Sequence, residues 1–213
     1  MKVVILCGGL GSRLAEETKT IPKPMVKIGK IPIICHIIKI YQYYGYNSFI
    51  LATGYKKEII ESYFKKKTNI RCFFTGEKTL TGGRLLRLKK FFKPGENFML
   101  TYGDGLTNQN IKKLENFHLK HRKIATLTSV KPPARFGEVF LKGNKVEKFE
   151  EKSQLNKSWI NGGFFVFNYE IFNFITGDQI MLEREPFLKL TKKKTINGIQ
   201  TSWLLAMYGY HER

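Results

Sequence analysis

Cysteine is scarce in this 213-residue chain: Cys7, Cys35 and Cys72, odd in number and widely spaced. A disulfide framework is excluded, and without a Cys-x-x-Cys pair so is a thiolate zinc site. A reducing, cytoplasmic setting is expected. Proline is sparse, 7 residues against 19 glycines, and there is no low-complexity tract, which excludes collagen-like and disordered classes. No apolar run reaches the roughly 18 residues of a membrane helix. The run from Val3 to Cys7, between Lys2 and Gly8, is too short for a secretory core. Acid is the other shortage: 17 Asp+Glu face 37 Lys+Arg, a net charge of +20. That excess suits nucleic acid, an anionic membrane surface or phosphorylated small molecules. It equally suits a lysine-rich solvated surface. Because the lysines are spread along the whole chain, charge alone decides little.

What is present is a rhythm of strand, loop and helix. Val3 to Cys7 is a continuous apolar run that ends in Gly8-Gly9, the pattern of a strand buried on both faces. Ile34, Ile37, Ile38, Tyr41 and Tyr44 recur at helical spacing, and Gly45 ends that helix. Strands are predicted over Ser48 to Thr53, Ile70 to Phe74, Asn97 to Tyr102 and Ala125 to Val130. Helices are predicted over Glu58 to Phe64, Arg84 to Phe92 and Ile111 to His121. Such alternation means crossover units and a mainly parallel sheet. After Lys131 the rhythm changes. Val139 to Leu141, Lys145 to Phe149 and Gly163 to Phe167 read as antiparallel or mixed strands, and Tyr169 to Phe174 and Glu185 to Leu190 as helices. With no linker and no repeat, a single α/β domain over residues 1–213 is expected. Its layers would be three, α/β/α, around a mixed, mainly parallel, Rossmann-like sheet.

Three short segments carry chemistry. In Leu6-Cys7-Gly8-Gly9-Leu10-Gly11-Ser12-Arg13 a strand delivers the chain to a glycine-rich turn. Such turns let backbone amides approach a phosphate, and Arg13 adds a fork for two phosphate oxygens. No Gly-Lys-Ser/Thr follows, so it is not a Walker loop, and the third glycine of the dinucleotide fingerprint is missing. Pro22-Lys23-Pro24 fixes the backbone on both sides of one ammonium. Tyr102-Gly103-Asp104-Gly105 puts an acid at a strand's carboxyl end, where open α/β sheets bind ligands and a carboxylate can hold Mg²⁺ bridged to phosphates. Each segment also has a bland reading: a tight turn, a rigid loop with an incidental lysine, a turn-forming aspartate. The remaining candidates read as structural. His36 and Cys7 belong to the core, His118 and His121 to a solvated helix face, and Tyr41, Tyr43, Tyr44 and Tyr46 to helix packing in preference to base stacking.

Taken jointly, these segments resemble the sugar-1-phosphate nucleotidylyltransferases. The similarity continues in Glu16-Glu17-Thr18, Gly54-Tyr55-Lys56, Thr81-Gly82-Gly83-Arg84-Leu85, Pro133-x-Arg135-Phe136-Gly137, Glu151-Lys152, Asn161-Gly162-Gly163 and Glu185-Pro186. The Glu-Glu-Thr and Thr-Gly-Gly-Arg-Leu elements are similar to the cytidylyl branch. The resemblance implies CMP transfer from CTP to a sugar 1-phosphate, with pyrophosphate leaving and Mg²⁺ as cofactor. It implies a nucleotide site at Leu6, Gly8, Gly9, Gly11, Ser12, Arg13 and Lys23, with Arg13 at the pyrophosphate and Lys23 at the α-phosphate. Asp104 would bind the metal; Thr81, Gly82 and Gly83 would lie by the base; Gly137, Glu151, Lys152, Asn161 and Gly162 by the sugar phosphate. Arg13, Lys23 and Asp104 would be the catalytic set. Nucleic acid and membrane partners are not expected.

Two departures from the family pattern stand out. The stretch Lys56 to Thr81 is compact where cytidylyltransferases carry a longer segment that supports oligomer contacts, so any homo-oligomer is expected to be of lower order. The family's second metal-binding aspartate follows a methionine near the C-terminus; here Tyr208 follows Met207, Glu212 is the nearest carboxylate, and the helices that usually come next are absent. A catalytically weak or inactive nucleotide-binding homologue, a transferase with another NTP or acceptor, and an RNA-binding domain are the competing readings.

Overall fold

The computed structural model describes residues 1–9, 20–131, 138–150, 159–201 and 205–207. A seven-stranded sheet runs through it. Its strands in chain order are β1 Val3–Cys7, β2 Phe49–Thr53, β3 Ile70–Phe74, β4 Asn97–Tyr102, β5 Ala125–Val130, β6 Ile160–Asn168 and β7 Ile196–Thr201. Across the sheet they lie β3-β2-β1-β4-β6-β5-β7. Neighbours are parallel except at β6, which runs antiparallel to both β4 and β5. The helices are α1 Ile33–Tyr43, α2 Lys57–Phe64, α3 Thr81–Arg87, α4 Ile111–His121 and α5 Glu185–Lys192. None among the described residues is long and apolar enough to cross a membrane.

The layering follows from β1. All five of its residues are buried, and successive side chains leave opposite faces of a strand. Val3 and Ile5 enter a core under α1, α2 and α4, with Ile37, Ile60 and Leu114. Val4 and Leu6 enter a second core under α3 and α5, with Leu85, Phe98 and Leu190. A sheet covered on both faces has no use for polar alternation, which is why β1 and β2 read as unbroken apolar runs. Each such side chain, fully buried, stabilises the fold by about 1.5–3 kcal/mol. At the β3 edge the aromatic rings are covered by cations: Lys57 Nζ sits 4.3 Å from the Phe74 ring centroid and Lys90 Nζ 4.3 Å from that of Phe73. Part of the lysine excess thus shields a sheet edge that would otherwise invite pairing.

Three elements differ from the sequence expectation. Helix α3 begins at Thr81 rather than Arg84 and gives way to a 3-10 turn, Lys89–Phe91. Its first amides have a distant cap: Gly82 and Gly83 N–H donate to Ile180 O at 2.9 and 3.2 Å. Strand β7 pairs with β5 alone and is half polar, so the apolar pattern does not announce it. His118 is not on a solvated face. It is 1% exposed, and its Nδ1 lies 2.8 Å from Thr126 Oγ1, the oxygen that His121 Nε2 also meets at 2.7 Å. His36, as expected, is structural, its Nε2 donating to Ile28 O at 3.1 Å.

One side chain ties the sheet's carboxyl edge together. Arg84, 3% exposed, reaches from α3 under the loops that leave β1 and β3. Nη2 donates to Gly8 O at 2.7 Å and Glu77 O at 3.0 Å; Nη1 donates to Gly76 O at 2.6 Å and Thr75 Oγ1 at 2.9 Å. A Cβ on Gly8 would stand 1.9 Å from Arg84 Nη1, so a side chain there would have to displace the guanidinium. Burial lowers the Arg84 pKa from its ordinary value, yet a guanidinium keeps its proton in proteins.

Two expectations follow. Arg84→Lys keeps the charge but not the fork, and strands several buried carbonyls. Urea unfolding should show a loss of roughly 2–4 kcal/mol, whereas Arg87→Lys, at an exposed pair, should change stability little. Equal effects would remove Arg84 from this role. Burial, and then His121, hold His118 at a pKa of about 4, below the ordinary 6.5. The unfolded chain therefore binds protons that the fold does not. The contribution is complete above about pH 6.5 and is lost as pH falls toward about 4, by at most about 1.4 kcal/mol per pH unit from this residue. Denaturant midpoints between about pH 6.5 and 5 should fall in the wild type and stay flatter in His118→Asn; parallel slopes would refute the assignment.

Candidate active site

The parallel strands deliver their carboxyl ends to one side of the sheet, where a cavity of about 570 Å³ opens. That volume is in the range of a nucleotide-sized ligand. Leu6, Cys7 and Gly9 of the β1 turn line it, as do Lys23, Gly103 and Asp104.

Lys23 stands in a one-turn 3-10 segment, Lys23–Met25, with Pro22 before it and Pro24 within it. The prolines fix the backbone, and the lysine is 8% exposed. Its Nζ donates to Asp104 Oδ2 at 2.6 Å. Residues 81 positions apart in sequence meet because β4 closes on β1: Gly103 N–H donates to Leu6 O at 3.0 Å. A Cβ at Gly103 would stand 2.8 Å from Leu6 O and 2.9 Å from Pro24 Cγ. Glycine at that position is what lets the acid and the lysine share one corner.

Another part of the lining was less legible. Thr81 Oγ1 donates to Glu183 Oε2 at 2.6 Å and accepts from Leu182 N at 3.0 Å. Tyr102 OH donates to the other Glu183 oxygen and accepts from Asn161 Nδ2 at 3.3 Å. Burial, followed by the Glu183 charge, raises the Tyr102 phenol well above its usual pKa, so it remains a donor. Gly82 and Gly83 are packed against the 178–182 segment, their amides engaged by Ile180 O. Gly162 lies against Thr128 and Val130 of β5. Gly11, Ser12, Arg13, Gly137, Glu151 and Lys152 lie outside the described residues, as do Tyr208 and Glu212. Sequence reasoning passed over Arg84 as a site residue, and also Thr79, Tyr102 and Glu183, all of which border the cavity. Arg84 carried a signal, standing inside Thr-Gly-Gly-Arg; Glu183, one glutamate in an ordinary loop, carried none.

Among the described residues no group of three or more His, Cys, Asp or Glu forms a metal cage. Asp104 suits Mg²⁺ all the same. That ion keeps several waters and takes oxygens from a phosphate substrate, so one carboxylate can serve. A softer metal is disfavoured: nearby Cys7, raised by burial first and by Cys72 next, keeps its proton. The corner therefore offers an ammonium, a carboxylate and a glycine turn to an anion that arrives with a hard cation.

Residues 2–202 match the family model described as Nucleotidyl transferase. The chain is 39% identical over 218 residues to the glucose-1-phosphate cytidylyltransferase of Salmonella typhimurium strain LT2, covering 91% of this chain and 85% of that protein. The same identity and coverage hold for the glucose-1-phosphate cytidylyltransferase of Salmonella typhi. The crystal structure of HddC from Yersinia pseudotuberculosis, complexed with GMP-PN, shares the fold: the TM-score is 0.75 at 24% identity, over 98% of this chain and 93% of that one. With the family model matched across nearly its whole length, this chain belongs to the nucleotidyl transferase family.

Proposed function

We propose that this protein transfers CMP from CTP to a sugar 1-phosphate, with glucose 1-phosphate as the first candidate acceptor. The observation that carries the reading is the Lys23–Asp104 pair set against the glycine turn of β1, in a chain 39% identical to cytidylyltransferases. A phosphate oxygen of the sugar 1-phosphate attacks the α-phosphorus of CTP. A P–O bond forms there, the α–β P–O bond breaks, and pyrophosphate leaves with that electron pair.

Such a transfer asks for positioning and charge neutralisation more than for covalent chemistry. The Gly8 and Gly9 turn brings backbone amides to the triphosphate, and Gly11, Ser12 and Arg13 extend the cradle, with Arg13 at the leaving pyrophosphate. Lys23 moves its ammonium from Asp104 to the α-phosphate, where negative charge grows. Asp104 would hold Mg²⁺, which supplies charge neutralisation on the phosphates when bound. The buried Arg84 charge lies beneath the turn and adds a fixed positive potential. Gly137, Glu151, Lys152, Asn161 and Gly162 hold the sugar phosphate. The reading places the protein in the cytoplasm as a source of nucleotide sugar for surface polysaccharide.

The test is pyrophosphate release from each NTP with several sugar 1-phosphates. Turnover is expected with CTP, falling roughly 10²–10³-fold in Asp104→Asn. Lys23→Ala should lower kcat by about 10²-fold while shifting the Kd for CTP by less than about 10-fold, because the interaction strengthens in the transition state. Equal losses would make Lys23 a plain binding contact. Tight CTP binding without turnover would favour the inactive homologue that Tyr208 suggests. Absence of both would end the reading.

A further inference from the structure

The part of the cavity lining around Glu183 has an asymmetry in its hydrogen-bonding groups. The donors of Thr81, Gly82, Gly83 and Tyr102 are already engaged. The Thr81 hydroxyl hydrogen goes to Glu183 and its oxygen accepts from Leu182 N. The amides of Gly82 and Gly83 both go to Ile180 O. The Tyr102 hydroxyl hydrogen goes to Glu183 as well. What remains for a ligand on this stretch is the Glu183 carboxylate, which accepts and cannot donate. Two hydroxyls orient it from opposite sides, one on each oxygen, and each oxygen keeps a further lone pair. Among the described residues no cation pairs with it. Leu80 and Met181 beside it supply apolar surface. Thr79 also borders the cavity, but a hydroxyl can accept or donate and so distinguishes nothing.

We infer that Glu183 is the specificity-determining residue for the nucleobase, accepting a hydrogen bond from an exocyclic amino group. The inference rests on the proposed function and deepens it. Phosphates need the cationic corner, so the flat ring falls to the apolar wall that carries Glu183. Cytosine presents an amino donor where uracil presents a carbonyl acceptor, and a carboxylate attracts the first and repels the second. Selection against UTP thus comes from an acceptor oriented by Thr81 and Tyr102. Asn161 extends the network through Tyr102, so the same chain of hydrogen bonds reaches from the base wall to a residue assigned to the sugar phosphate.

The experiment compares CTP and UTP in the whole protein, by kcat/KM with glucose 1-phosphate and by calorimetric binding of each nucleotide. The variants are Glu183→Gln and Glu183→Ala. Gln keeps the shape and one acceptor and adds a donor. In Glu183→Gln the CTP-over-UTP ratio should fall by roughly 10- to 100-fold in both readouts, partly through improved UTP. In Glu183→Ala the ratio should fall without a gain for UTP. A purely structural role would lower both nucleotides together, so an unchanged ratio overturns the inference. A raised KM for the sugar 1-phosphate with the ratio intact would also overturn it, placing the carboxylate at the acceptor. If the wild type itself shows no preference for CTP in binding or turnover, the functional reading fails first and takes this inference with it. If the wild type prefers CTP and the variants do too, this inference alone fails.

Discussion

A buried, unpaired-by-acid guanidinium holds the carboxyl edge of this sheet in shape. Among the described residues Arg84 meets backbone carbonyls and a hydroxyl instead of a carboxylate. Removing a charge from water costs several kcal/mol unless its protons are satisfied. Arg84 is satisfied by the loops after β1 and β3. The same contacts that stabilise the charge therefore bring the glycine turn at Gly8 to one place. The remaining positive potential faces the side where an anion is expected to bind.

The second constraint is proximity without side chains. Gly103 lets β4 close on Pro24, and only then do Lys23 and Asp104 meet at 2.6 Å. The pair is a neutral arrangement of two charges that an incoming phosphate and cation can redistribute. Rigid prolines, a glycine and strand ends do the positioning of this pair.

Much of this was legible along the chain. The segments Val3–Cys7, Ile70–Phe74, Asn97–Tyr102 and Ala125–Val130 are strands with the expected bounds; Val3–Cys7, covered on both faces, writes itself as continuous apolar residues. Lys23 and Asp104, singled out by flanking prolines, flanking glycines and a strand end, pair beside the cavity. β7 was missed because an edge strand with one neighbour need not be apolar. His118 was misread because a helix position says nothing of what packs over it, and here Thr126 of β5 does. Glu183 was invisible because its partners are distant, Tyr102 by 81 residues and Thr81 by 102.

The sequence by itself determined the alternating α/β order, the parallel core and the glycine-flanked groups that suit a polyphosphate, because each depends on spacing within about one turn or one strand. The tertiary structure decided which of those groups meet, which amides are already engaged and which carboxylate is left to accept. Hydrogen bonds saturate, and the partner that saturates a donor is chosen by the folded chain's geometry, not by its neighbours in sequence.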